Sequence, residues 1–201
     1  SYDKTFGNHT LSALVGQEAV RTKYENLIAG ATGFPGPGFV ELDAAATPTT
    51  ASSIITEKRL ASYLSRINYS FDNKYFVSAS FRRDGSSVFG IDSRWGNFWS
   101  VGGAWRISQE NFMAGIDWLN ELKVRGSYGV SGNDNIGRYA RLDLYSTGYN
   151  YGGGNGAIND QLGNSQLQWE GNKVTDIGVE FTIFKRIKGE FSYFNRGSNA
   201  I

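Results

Sequence analysis

Between Leu60 and Ile107 the chain alternates apolar and polar residues in three successive runs. Ala61, Tyr63, Ile67, Tyr69 and Phe71 share one parity, interrupted only by Ser65, while Arg66, Asn68 and Ser70 take the other. Tyr75, Val77, Ala79 and Phe81 oppose Ser78, Ser80 and Arg82. Trp99, Val101, Gly103, Trp105 and Ile107 oppose Ser100, Gly102, Ala104 and Arg106. Neighbouring side chains on a strand point to opposite faces, so a period of two dictates β-structure with one apolar, aromatic face and one polar face.

The pattern returns further on. Leu122, Val124, Gly126, Tyr128 and Val130 oppose Lys123, Arg125, Ser127 and Ser131. Within Gln166–Ile183, the residues Ile177, Val179, Phe181 and Ile183 oppose Asp176, Gly178, Glu180 and Thr182. Ile187, Gly189, Phe191 and Tyr193 oppose Lys188, Glu190 and Ser192. A weaker run within Thr5–Arg21 makes a further strand. Asp72-Asn73 and Phe184-Lys185-Arg186 read as tight hairpin turns, the first with residues suited to left-handed backbone. Tyr24–Thr56 reads as a long loop, with a turn-rich Phe34–Gly38 and room for a short hairpin around Phe39–Leu42. Arg83–Arg94 and the Gly-rich 132–163 segment are further loops, the latter with a short strand over Arg138–Ser146. Ser108–Glu121 breaks the alternation and suggests one or two helical turns. The expected fold is all-β: one domain over residues 1–201, an antiparallel up-and-down meander of about seven long strands with one short helix.

A strand of about 10 residues tilted about 45° rises close to the ~25 Å apolar band of an outer-membrane barrel. From Ala61 onward the apolar parity carries no Asp, Glu, Lys or Arg in the middle of its strong strands. Each such charge at a bilayer midplane costs roughly 2–4 kcal/mol. A soluble β-sandwich would show the same alternation, so alternation alone leaves both readings open. Turn positions constrain them further. In a membrane barrel, short turns share one side, which requires an even number of spanning strands between Asp72-Asn73 and Lys185. Four separate them if Arg138–Ser146 stays within an outer loop as a hairpin or bent extension. No run approaches 18 apolar residues, which excludes a transmembrane helix but not a barrel. The start, Ser1-Tyr2-Asp3-Lys4, is no signal peptide, so a mature chain or a fragment is expected. The 26 glycines, 3 prolines and 14% aromatic residues suit a girdled barrel. A formal charge of +1 gives no reason to expect nucleic acid.

Several motifs carry a resemblance. Tyr63-Leu64-Ser65-Arg66-Ile67-Asn68-Tyr69 with Lys74-Tyr75 resembles the barrel of SusC/RagA-like TonB-dependent transporters. So do Phe81-Arg82-Arg83-Asp84-Gly85-Ser86-Ser87 with Phe89-Gly90, and Trp95-Gly96 leading to Trp105-Arg106-Ile107-Ser108. Leu122–Asn133, Leu167-Gln168-Trp169-Glu170 and Tyr193-Phe194-Asn195-Arg196 continue the match in order, from Arg59 to the C-terminus. The resemblance implies a stretch from the C-terminal half of an outer-membrane barrel that imports oligosaccharides or peptides. It also implies a plugged barrel of about 22 strands, a SusD-like surface lipoprotein over its mouth, and energy supplied through a TonB complex. Against that family, neither a plug domain nor a TonB-binding motif is expected in this sequence, and seven strands are about a third of such a barrel and do not close it.

Arg66, Arg82, Arg106, Lys123 and Arg125 fall on the polar parity of four successive strands and form a candidate lumen wall. It would either pair with plug carboxylates and steer anionic solute, or be the ordinary polarity of a wet lumen. Tyr149 and Tyr151, in the Gly-rich stretch to Gly156, are candidate outer-loop ligand contacts, although the composition suits a disordered loop. Trp105 and Trp118 are candidate membrane-girdle residues, and most of Trp95, Trp99 and Trp169 are read the same way. Asn133-Asp134-Asn135 begins like a calcium loop but lacks Glu at the twelfth position and reads as a turn. With one histidine, His9, and no cysteine, neither a catalytic triad nor a metal cluster assembles, and His9 is expected to be structural. No catalytic residue or cofactor is expected. The rivals are a soluble or surface-displayed β-sandwich that binds glycans through its aromatic residues and, more weakly, a carboxylate-dependent glycosidase.

Overall fold

The computed structural model describes residues 1–200. In chain order the strands are β1 (Tyr2–Phe6), β2 (His9–Thr32), β3 (Thr47–Phe71), β4 (Tyr75–Ser86), β5 (Trp95–Arg106), β6 (Leu119–Asn133), β7 (Leu144–Tyr151), β8 (Gly154–Gln161), β9 (Glu170–Ile183) and β10 (Ile187–Ala200). Eight of them form one open antiparallel sheet, β1-β2-β3-β4-β5-β6-β9-β10. β7 and β8 pair only with each other, as a hairpin inserted between β6 and β9. The meander and its seven long strands are those the alternation predicts.

Short connections cluster at one end of the sheet. Asp72 and Asn73 both have φ of 52°, and Phe184 and Lys185 have 53° and 56°. Two successive residues at positive φ make the turn whose twist matches a two-residue hairpin. A further connection at this end, between β5 and β6, contains two 3₁₀ turns, Ile107–Gln109 and Asn111–Met113, in place of one helix. The long connections 33–46, 87–94 and 134–169 all lie at the opposite end.

Four expectations are corrected. Most of Tyr24–Thr56 is strand: β2 and β3 pair from His9↔Phe71 to Thr32↔Thr47, and the tip holds a 3₁₀ turn at Leu42–Ala44, not a hairpin over Phe39–Leu42. Beyond Leu60, where β4 ends opposite at Ser86, most side chains of this hairpin are exposed, with Arg138 and Tyr139 bonded to it at Thr56 and Glu57. The ladder there is held by backbone bonds and ion pairs and needs no apolar alternation. Thr5–Arg21 is split by a turn at Gly7-Asn8. The short strand begins at Leu144 and not Arg138, and the Gly-rich stretch after it is ordered as the β7–β8 hairpin around Gly152-Gly153, both at positive φ. The strand read from Gln166 begins at Glu170, because Leu167 and Trp169 are drawn into packing.

Register aligns one row of rings across the short-turn end: Phe6↔His9↔Phe71↔Tyr75↔Trp105. The His9 ring stacks on Phe6 at 5.1 Å and its Nδ1 lies 2.7 Å from the Tyr69 hydroxyl, a structural role. Near the long-loop end, Tyr63 stacks on Trp95 at 6.1 Å, with the Arg83 guanidinium over the indole at 5.3 Å. The ten steps of β3 from Ala61 to Phe71, at about 3.4 Å each and tilted about 45°, rise about 24 Å. On this face the first charge is Arg83, opposite Tyr63, and beyond Ala61 charges dominate it, with Arg21–Glu57 at 2.9 Å and further pairs Arg59–Glu57 and Lys23–Glu25.

Candidate functional site

All five predicted wall cations lie on the polar face. In register, Arg106 opposes Lys123, Lys123 opposes Glu180 and Glu180 opposes Glu190. Lys123 Nζ is 3.3 Å from Glu180, and Arg125 reaches Glu180 at 3.5 Å, Asp176 at 3.9 Å and Glu190. Arg106 lies 3.9 Å from Glu121, donates to the Asn73 carbonyl at 3.2 Å and covers the Phe76 ring. Arg82 donates from Nε to both Asp84 oxygens at 2.7 and 2.9 Å, and from Nη2 to Glu18 at 3.0 Å and to Ser62 at 2.9 Å. Arg66 meets Asn68 at 3.3 Å and has no carboxylate partner among the described residues. Four of the five cations are therefore neutralised within the sheet. Lys123–Glu180, Arg125–Asp176 and Arg106–Glu121 join neighbouring strands, Arg82–Glu18 and Arg125–Glu190 each reach across an intervening strand, and Arg82–Asp84 lies within β4. Between the charged groups, Ser78, Gly102 and Ser127 line a shallow concavity of about 430 Å³.

The sequence reading missed the packed cluster at the long-loop end. Val88 and Phe89 from the β4–β5 loop, Phe98 from β5 and Trp169 from the segment before β9 are its buried core, with Leu60, Ile136 and Leu167 against it. Phe89 is 0% exposed and Trp169 5%. Trp169 is thus an interior residue and not a girdle one. Polar bonds tie the loops down around it. The Trp169 indole donates to the Arg94 carbonyl at 3.0 Å, and Ser93 Oγ to the Leu167 carbonyl at 2.7 Å. Asp134 accepts from Ser86 at 2.7 Å and pairs with Lys58 at 2.8 Å. Asn135 N donates to the Asn133 side chain at 3.0 Å, so the Asn133-Asp134-Asn135 motif is a turn as read. The available signal was the adjacent apolar pair Val88-Phe89 inside the 87–94 loop, although Ile91 of the same loop stands exposed.

Trp105 and Trp118 are both half exposed near the short turns. The Trp105 N–H donates to Glu110 Oε1 at 3.0 Å and the Tyr75 hydroxyl to the same oxygen at 2.6 Å, while their rings stack at 6.4 Å. Rings on the apolar face with polar tips turned off its end are the arrangement of an interfacial belt. These bonds, Tyr75 first, then Trp105, with help from Lys74, hold the Glu110 carboxyl below the usual glutamate range. Tyr149 and Tyr151 stand on one arm of the projecting hairpin, both exposed, Tyr151 at 87%. Among the described residues no group of three or more His, Asp and Glu side chains is placed to hold a metal ion.

No family model matches the chain. TonB-dependent receptor P39 of Formosa agariphila is 38% identical over 190 residues, 92% of this chain and 18% of its own length. TonB-dependent receptor SusC of Bacteroides thetaiotaomicron is 35% identical over 150 residues, 70% of this chain and 15% of its own length. The solved RagAB peptide importer in its closed-closed state superposes with a TM-score of 0.89 at 28% identity, over 98% of this chain and 22% of that chain. The chain is a segment of the barrel of a SusC/RagA-like TonB-dependent receptor. It spans about a fifth of the length of the curated relatives it matches. The matches are to transport receptors and importers, not enzymes. In this SusC/RagA-like segment the Arg83–Gly90 and Leu167–Glu170 motifs meet in the buried loop cluster, and the Trp105–Ser108 motif forms the short-turn end of the aromatic row.

Proposed function

We propose that this segment is lipid-embedded wall and outer loop of an outer-membrane importer for oligosaccharides or peptides. The carrying observation is the uncovered apolar face. Ile67, Val77, Val101, Ile177 and Phe191 stand exposed between the two aromatic levels, and no second layer of described residues packs on them. A soluble β-sandwich would cover that face with another sheet about 10 Å away. On this reading the face of Arg66, Arg82, Arg106, Lys123 and Arg125 lines the lumen, as a self-compensated wall rather than an anion-steering one. Trp105 and Trp118 form the inner girdle, and Tyr149 and Tyr151 project from the mouth towards ligand. The likeness to SusC and to the RagAB peptide importer supports a SusD-like surface lipoprotein as partner and TonB-linked energy supply. The RagAB likeness favours peptides as cargo.

Spin labels at adjacent positions in the intact receptor test the orientation. A label at Val77 is expected to be reached by lipid-soluble oxygen, and one at Ser78 by an aqueous nickel chelate. Equal aqueous access at both overturns the lipid-facing assignment. Deleting the parent gene and following depletion of defined oligopeptides and oligosaccharides from the medium tests import, and unchanged depletion of every class overturns it.

A further inference from the structure

We propose that the long-loop end of the apolar face holds a binding site for the phosphate of a lipid headgroup, an inference that rests on this face meeting lipid. Arg21, Arg59, Arg94 and Arg141 converge on one concavity of about 560 Å³ whose apolar lining includes Ala19, Val20, Leu60, Ala61 and the Trp95 indole. Three elements supply them: the β2–β3 hairpin, the loop entering β5 and the segment before β7. The level is that at which the apolar face gives way to charge. Ala61, Gly85 and Trp95 share one row, Arg83 stands in the row inside it with its guanidinium over Trp95, and Arg21 and Arg59 oppose each other in the row outside it.

Two features point to a missing anion. Like charges placed directly opposite on neighbouring strands repel, yet Arg21 and Arg59 share only Glu57. Four arginines against that one carboxylate leave a net charge of +3 (4 − 1). Arg94 adds a second, independent sign: its Nε is buried with no hydrogen-bond partner. Neither the Arg94 nor the Arg141 side chain makes an ion pair among the described residues. A guanidinium fork matches the oxygens of phosphate, and clustered cations at a membrane surface recognise anionic headgroups.

The floor argues for a lipid over a free anion. Gly85 lets the Trp95 ring lie flat against the sheet, since a Cβ there would stand 2.9 Å from the indole. The result is an apolar shelf below the cations, facing the side from which lipid approaches. A soluble anion has no use for that shelf, whereas the glycerol or sugar and first acyl carbons of a lipid cover it.

The test uses the intact receptor in phosphatidylcholine nanodiscs, titrated with lipid A, with dephosphorylated lipid A and with inorganic phosphate, and read by native mass spectrometry. Lipid A is expected to bind at least about tenfold tighter than its dephosphorylated form, and Arg94→Gln/Arg141→Gln to lower that binding about tenfold or more. Arg186→Gln, at the short-turn end, is expected to change nothing. Should the double variant fail to fold, Arg141→Gln alone, in a surface segment, gives the same reading. Equal binding of the two lipids, unchanged binding in the variants, or displacement of lipid A by equimolar phosphate overturns the site. Failure of the wild-type receptor to enter nanodiscs overturns the membrane reading instead.

Discussion

Phe89 and Trp169 meet with ring centroids 5.0 Å apart and planes at 43°, although they come from two different outer connections. Phe98 meets the same indole edge-on at 5.1 Å. Truncating a buried Phe or Trp costs about 3–5 kcal/mol, and ring pairs add to area burial. Phe89→Ala in the intact receptor is therefore expected to open residues 87–94 and 134–169 to limited proteolysis while heat-modifiability reports a folded barrel. Unchanged cleavage would remove the cluster's role as a clasp.

The Phe98 ring occupies the space where a Cβ on Gly96 or Gly132 would go. Gly132→Ala is expected to destabilise by about 1–3 kcal/mol through overpacking. The Phe98→Leu background is expected to relieve part of that cost. A double-mutant cycle by denaturant unfolding in detergent measures the coupling, and strict additivity would contradict the contact.

Glu110 joins the 3₁₀ turns to Tyr75, Trp105 and Lys74, and its carboxyl titrates below the ordinary value. A depressed folded-state value stabilises the protein above the unfolded value of about 4.3, and the contribution is lost as pH falls through the folded value. Wild type is thus expected to lose stability relative to Glu110→Gln below about pH 4, with the largest gap near neutrality. Parallel stability–pH curves for the two proteins would exclude this linkage.

Val101 lies mid-strand on the apolar face between Ala79 and Tyr128, and Asn68 lies on the opposite face. Val101→Lys is expected to cost about 2–4 kcal/mol and lower the folded fraction in membranes, with Asn68→Lys near neutral. Equal tolerance of both would remove the sidedness.

Sequence legibility followed the solvent. Where one face is apolar and the other polar, as in Tyr75–Phe81 or Ile177–Ile183, alternation reported strand and face together. Where most residues on both faces are exposed, as in Tyr24–Thr32 and Thr47–Thr56, strand formation left no such trace. The wall cations fell on the expected face, but their neutralisation did not show, because Arg125 with Glu190 and Arg82 with Glu18 are pairs made by register across distant segments. Trp169 looked like the other tryptophans by composition. Only its packing on Phe89 separates it from them.

The sheet has one pairing that is not between chain neighbours. β6 and β9 zip from Asn133↔Glu170 to Leu119↔Ile183 across the 134–169 segment, while every other ladder closes through a shorter hairpin connection. Closing a connection of that length costs about 2.5 kcal/mol more than a two-residue turn. Local pairings form first and non-local ones limit the rate. The arrival of β9 at the edge of β6 is therefore expected to be the slowest pairing in this wall. Trp169, one residue ahead of β9 and packed on Phe89, anchors the chain where that pairing starts, so loss of the buried cluster is expected to slow assembly as well as to loosen the loops.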